Sequence, residues 1–168
     1  MPICKLLEDA ASMLKTLVVG AGLSGLMIAL SLRDSRDVAV VDKARSVGGR
    51  LATRRTDNAK FDHGAQFYRL KAPLREMHER WLERQLVKLW FTENQEQHFC
   101  AFGGMTALAK DLAQDTRVIV NERVVGLERK NQKWVVTFDS ARIEKVDEVI
   151  FTCPTPQTLE IFKVSSLA

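Results

Sequence analysis

Residues 16–42 read TLVVGAGLSGLMIALSLRDSRDVAVVD, and the order of residue types along them decides the fold. Leu17, Val18 and Val19 are a short apolar run closed by Gly20, the pattern of a strand buried on both faces of a parallel sheet. After the glycines, residues 23–33 read as a helix and Asp34–Asp37 as a polar loop. Val38–Val41 is then a second buried strand, ending at Asp42. This is a βαβ unit of the usual size, and its right-handed crossover places the two strands side by side and parallel.

Gly20, Gly22 and Gly25 spell GxGxxG between the first strand and the helix. The first glycine permits the tight turn, the second lets backbone approach a pyrophosphate, and the third lets the helix pack closely on the sheet. The helix amino terminus then faces an anion with free N–H groups, to which Ser24 adds a hydroxyl. Asp42, at the end of strand two, stands where an acid accepts hydrogen bonds from an adenosine ribose. Strand, glycines, helix, second strand and terminal acid together predict dinucleotide binding. The acid disfavours a 2'-phosphate, which points to FAD or NAD rather than NADP.

Working outward, the 168-residue chain is 46% hydrophobic and 27% charged, which excludes a disordered chain and predicts one packed domain with an appended piece. The net charge of +4 does not imply nucleic acid, although Lys43, Arg45, Arg50, Arg54 and Arg55 form a local basic stretch suited to a phosphate-bearing ligand. Thr16–Leu32 carries no charge and borders on membrane-span length, but its central glycines and lone occurrence favour a soluble protein. Residues 1–15 lack the features of a secretory signal and read as a short helical extension. Cys4, Cys100 and Cys153 show no framework spacing, which points to a reducing, cytoplasmic setting. No metal site is proposed, since His63, His78 and His98 have no ligand spacing.

Leu74, Met77, Trp81, Leu82, Leu86, Leu89 and Trp90 fall at three- and four-residue spacings, which predicts an amphipathic helix over 74–90 with its tryptophans in the core. A second helix is expected over 105–114. Val118–Val120, Val124–Leu127, Trp134–Phe138 and Val149–Phe151 read as strands: an antiparallel meander inserted before the chain rejoins the parallel sheet at Val149–Cys153.

The stretch after Asp42, DKARSVGGRLATRR, resembles the second motif of the flavin-containing amine oxidase superfamily. Gly48 and Gly49 would bring backbone close to the cofactor, and Arg50 would offer its phosphates a fork of donors. A plain nicotinamide domain needs neither. FDHGAQFY (61–68), FGGMTALAKDLA (102–113) and VDEVIFTCPTPQ (146–157) are similar to stretches of renalase-like members of that superfamily, in the same order. The resemblance implies an α/β fold: a Rossmann-like FAD/NAD(P)-binding, doubly wound sheet with the inserted meander and part of a substrate domain. On that reading residues 16–70 and 102–156 form the FAD-binding domain, and 71–101 the helical part of an incomplete substrate domain.

The resemblance also implies FAD as cofactor, held by Gly20, Gly22, Ser24, Gly25, Asp42, Gly49, Arg50, Gln66, Phe67 and the backbone of Val124. His63 is expected to be a packed loop histidine. The implied activity is oxidation of a reduced nicotinamide, or an amine, by hydride transfer to flavin with oxygen as acceptor, and no catalytic side chain is assigned. Relatives continue with a further segment, so this chain is expected to carry the ADP-binding half. The other readings are a non-catalytic dinucleotide-binding fragment completed by a second half or partner and, more weakly, an NAD-dependent dehydrogenase domain. Self-association through uncovered apolar surface is expected of such a chain.

Overall fold

The runs at 17–19 and 38–41 are apolar throughout because each of their two faces meets a different layer. In the computed structural model, which describes residues 13–165, the chain forms β1 (Lys15–Val19), α1 (Leu23–Leu32), β2 (Asp37–Val41), β3 (Thr53–Arg55), β4 (Lys60–Asp62) and β5 (Tyr68–Arg69). There follow α2 (Arg75–Glu83), β6 (Val87–Glu93), β7 (Glu96–Ala101), α3 (Thr106–Ala113) and β8 (Arg117–Ile119). The last elements are β9 (Val124–Lys130), β10 (Lys133–Phe138), β11 (Ile143–Val146), β12 (Glu148–Phe151) and α4 (Thr155–Lys163). The extension expected over residues 1–15 lies outside the described residues except for its last three.

The four-stranded sheet has the order β12-β1-β2-β8, and all its neighbours are parallel. Val19 aligns with Val41 on one side and with Phe151 on the other. Alternate side chains separate as strand geometry requires. Val18 and Val40 turn toward α1 and α3, where they meet Leu26, Ala29, Leu108 and Leu112. Leu17, Val19, Ala39 and Val41 turn to the other face and meet Val124, Leu127, Val136 and Phe138 of the meander. The result is three layers, with helices and an antiparallel β9-β10-β11 sheet covering opposite faces of the parallel one. Each such Val or Leu, buried on folding, contributes about 1.5–3 kcal/mol.

The run at Val118–Val120, expected in the meander, instead supplies β8, the parallel edge strand beside β2. The third meander strand is β11, which alternating polar residues had concealed.

The predicted helix over 74–90 ends seven residues early. α2 stops at Glu83, Gln85 takes the left-handed conformation at φ +54°, the Leu86 amide closes the helix end on the Trp81 carbonyl, and Leu89 and Trp90 belong to the strand β6. β6 and β7 form a hairpin joined by Asn94 and Gln95, at φ +47° and +66°. Two successive positive values define the type I′ turn whose twist matches its strands. The same Asn-Gln pair, Asn131–Gln132, joins β9 to β10 at φ +50° and +66°. Residues 71–101 are therefore one helix and a hairpin rather than a helical segment, because a turn that needs left-handed backbone outweighed a chance periodicity. Trp81 is buried in the core while Trp90 is half exposed.

Candidate dinucleotide-binding cleft

The carboxyl ends of β1, β2 and β12 converge on a cleft of about 850 Å³, toward the upper end of the range for ligand pockets. Its floor is the glycine turn. Gly20 sits at φ +111°, a conformation that side chains rarely adopt, and a Cβ there would also lie 2.8 Å from Thr152 Oγ1. A Cβ on Gly25 would come within 1.9 Å of the Gly20 carbonyl oxygen, so α1 presses its backbone directly onto the turn. Gly22 differs from both, since a Cβ built on it meets nothing within 4 Å. Its open side is the cleft.

Gly22 caps α1 without a side-chain hydrogen bond, and Leu23 and Ser24 line the cleft. The first amides of a helix have no intrahelical partner, so this end presents bare donors and the positive end of the dipole. Opposite lies the second turn. Gly48 donates to the Ala21 carbonyl at 2.9 Å, and Gly49 packs against Gly22, to which its Cβ would come within 3.3 Å. Arg50 lines the cleft, and among the described residues no carboxylate pairs with its guanidinium.

What holds Arg50 is backbone. Its carbonyl accepts the Ala65 N–H at 2.8 Å, and a Cβ on Gly64 would lie 2.0 Å from the same oxygen. The 61–68 stretch is anchored in turn by Asp62, whose Oδ1 accepts from Thr53 Oγ1 at 2.5 Å and from the Met105 amide at 2.9 Å. Thr106 Oγ1 donates to the Leu51 carbonyl at 2.9 Å. The neighbours of His63 are thus packed, whereas His63 itself is exposed. The expected packed histidine is corrected: the tight approach is made by Gly64.

Asp42 lines the cleft with both carboxylate oxygens engaged by backbone. Oδ2 accepts the Ala21 amide at 2.6 Å, and Oδ1 the Ala44 amide at 2.8 Å. Each oxygen retains a lone pair for a ribose hydroxyl. Val124 closes the far wall, together with Val125, Glu122, Arg123 and the α4 residues Gln157 and Ile161. The apolar α4 positions were not singled out in the sequence, though the approach of 155–163 to the cleft follows once β12 takes its place beside β1.

Of the residues singled out in the sequence, Gly20, Gly22, Ser24, Asp42, Gly49, Arg50 and Val124 are brought together here, with Gly25 directly behind the turn. Gln66 and Phe67 are not. Phe67 packs against Trp90, Phe91 and His98, with ring centroids 6.0, 5.6 and 4.7 Å away, and Gln66 is exposed beside it. That aromatic group adjoins Tyr68, whose ring stacks on Phe99 and whose hydroxyl lies 2.7 Å from Nδ1 of buried His78. Burial pushes the Tyr68 phenol up and the His78 imidazole below its ordinary value. Both are uncharged at neutral pH.

A parallel sheet with an open glycine turn, a bare helix terminus and an acid at the second strand end defines a dinucleotide-binding protein of the Rossmann type. Residues 18–81 match the family described as an NAD(P)-binding Rossmann-like domain, and residues 83–162 that described as flavin containing amine oxidoreductase. Over residues 83–162 the chain is similar to flavin containing amine oxidoreductases, and the cofactor which that match implies is FAD. The chain is 27% identical to mouse renalase over 89% of its own length and spans about half the length of that curated relative, 49%. Its fold is similar to that of a CLA-producing fatty acid isomerase from P. acnes, with TM-score 0.73 and 10% identity over 95% of this chain and 63% of that one. It is also similar to putrescine oxidase bound to putrescine, with TM-score 0.69 and 15% identity over 88% and 60% of the two chains.

The residues present fit the cofactor's diphosphate. Open space over Gly22, unpaired helix amides and an unpaired guanidinium are what a pyrophosphate between two glycine turns requires. Among the described residues no helix is long and apolar enough to cross a membrane, and no cluster of His, Cys, Asp or Glu could hold a metal ion.

Proposed function

We propose that this chain forms the FAD-binding part of a renalase-like oxidoreductase that oxidises a reduced nicotinamide, or an amine, with oxygen as the final acceptor. The observation that carries the reading is Gly22, whose side-chain position opens onto the cleft while those of Gly20, Gly25 and Gly49 are pressed against protein. The amides of Gly22, Leu23 and Ser24 would receive the pyrophosphate, with Arg50 adding charge-assisted bonds from the Gly49 side. Gly20 and Gly25 would serve by letting the turn and helix meet, and Asp42 would accept ribose hydroxyls on its remaining lone pairs. The backbone at Val124 would face the adenine. Gln66 and Phe67 would also contact the cofactor, as the resemblance implies, away from the cleft that would hold its diphosphate.

A bound FAD supplies two-electron acceptance from the donor and reoxidation by oxygen. The chain's part is to fix the nucleotide end so that the flavin reaches its donor in one place. A second reading is a dinucleotide-binding unit without turnover of its own, favoured by a lining drawn from the glycine turns, the strand ends and α4. A cytoplasmic setting and self-association belong to the same proposal. They are supported by free Cys100 and Cys153 and by exposed Phe61, Leu89, Trp90 and Phe102.

The test is a visible spectrum of the purified chain after incubation with FAD and gel filtration. Retained flavin absorbance is expected, and its anaerobic bleaching by a reduced nicotinamide separates the catalytic reading from the non-catalytic one. Retention of NAD with no retention of FAD would replace both with a dehydrogenase.

A further inference from the structure

The phosphate-facing turn contains one peptide unit, between Gly20 and Ala21, that is gripped at both ends by side chains from the two strands flanking β1. Its N–H, on Ala21, donates to Asp42 Oδ2 from the end of β2 at 2.6 Å. Its carbonyl, on Gly20, accepts from Thr152 Oγ1, which follows β12, at 3.0 Å. The same hydroxyl lies 3.1 Å from the Val19 carbonyl oxygen, which also accepts the Thr152 amide at 2.9 Å. Thr152 Oγ1 is also what a Cβ would strike, at 2.8 Å, on either Gly20 or Gly25. The hydroxyl therefore fills the wedge where strand, turn and helix converge.

This grip has a consequence for an anion. Gly20 at φ +111° lies between Val19 and Ala21, and having no Cβ it leaves the following peptide plane freer to rotate than any other residue would. A rotated plane would take the Gly20 carbonyl away from Thr152 and the Ala21 amide away from Asp42. Any such turn toward the cleft would set a carbonyl oxygen beside the phosphates. We propose that Thr152 is a positioning residue for cofactor binding: with Asp42 it holds the Gly20–Ala21 peptide in one orientation, keeping carbonyl dipoles out of the cleft and the Gly22 amide in it. The proposal rests on the FAD reading above. Threonine suits the post because its branched Cβ restricts χ1 and keeps the hydroxyl aimed.

Thr152→Val removes the donor at nearly constant shape, Thr152→Ala removes it without adding a methyl, and Thr152→Ser restores it. Two measurements apply: amide hydrogen exchange at Ala21 in the ligand-free chain, and calorimetric titration with FAD and separately with ADP. In Thr152→Val, exchange at Ala21 is expected to be about tenfold faster and affinity for both ligands about tenfold weaker, the size of one lost hydrogen bond. Thr152→Ala should behave alike, which keeps the test alive if the valine variant does not fold, and Thr152→Ser should return to within about threefold of the parent. Unchanged exchange at Ala21 overturns the clamp whether or not a ligand binds. A lowered unfolding midpoint with unchanged FAD and ADP affinity also overturns it, since that is what a merely structural threonine would show. If the parent chain bound neither FAD nor ADP, the cofactor reading and the positioning role would both fall, and the exchange result would separately decide whether the clamp exists.

Discussion

The parallel sheet and the β5-β7-β6 sheet are built by opposite means. At the parallel sheet, the parts that matter for a ligand are main chain against main chain: α1 lies on the Gly20 carbonyl through Gly25, and the Gly48 turn on Ala21. In the β5-β7-β6 sheet, side chains carry the contacts. Tyr68 stacks on Phe99, Trp81 lies edge-on to Tyr68, and Phe91 stacks on His98 with centroids 4.3 Å apart. Trp81 is buried and sends its indole N–H to Asp111 at 3.2 Å, while Arg84 and Arg80 approach the same carboxylate at 2.5 and 3.3 Å. The first region leaves no room for an added carbon at Gly20 or Gly25, and the second depends on its buried rings, Trp81 above all.

Trp81→Ala tests the side-chain-built region most severely. It removes the largest fully buried side chain among the described residues and takes one of the donors from the Asp111 carboxylate, so a loss of about 3–5 kcal/mol in urea unfolding is expected. A loss below about 1 kcal/mol would mean the aromatic group does not hold this region together.

In the backbone-built region, a single methyl should do comparable harm. Gly25→Ala places a carbon 1.9 Å from a carbonyl oxygen that cannot move without the turn. About 3 kcal/mol of stability, the upper part of the range for overpacking, should be lost along with FAD binding. A stable variant that still binds FAD would erase the contrast between the two regions.

Arg50→Ala sharpens the contrast by separating binding from stability. Its exposed guanidinium has no carboxylate partner among the described residues, so the unfolding curve should not move. FAD affinity should fall by about 1.5–3 kcal/mol, the worth of a hydrogen bond to a charged group, and calorimetry would read it.

Protons act on the second region through His78. Its folded pKa lies below the ordinary 6.5, mainly by desolvation, so protonation favours the unfolded chain. Stability is therefore fully present above about pH 6.5 and declines as pH falls from there toward the folded value. Urea midpoints measured at steps between pH 8 and pH 5 should follow this course, and His78→Leu should flatten it. The smallest effect belongs to Trp90, which is 50% exposed. Trp90→Ser should leave stability within about 0.5 kcal/mol, yet sedimentation should show weaker self-association if this surface joins copies of the chain.

How far the sequence could be read follows the same division. The βαβ unit was legible from Thr16 to Asp42 because a strand buried on both faces shows no alternation, and because glycine spacing directly encodes where backbones touch. The hairpin at 87–101 was not. Leu74 to Trp90 happens to satisfy helical spacing, and the signal that overrules it is the Asn94–Gln95 turn, which only acquires its meaning once β7 is present to pair with β6. The surroundings of Phe67 were hidden for a related reason: its neighbours Trp90, Phe91 and His98 arrive from a hairpin that local pattern did not reveal.

By itself the sequence determined the parallel βαβ core, the glycine turn, the acid at Asp42 and the basic residue at Arg50, since each depends on local spacing and on residue chemistry that no partner can alter. Tertiary structure alone decided that Thr152, some 130 residues from Gly20, grips the turn, and that Gly64 and Ala65 set the position of Arg50. It also decided that β8 lies beside β2. These depend on long-range strand order and on which backbone atoms come within hydrogen-bonding distance, quantities fixed by packing of the whole chain and carried by no single stretch of it.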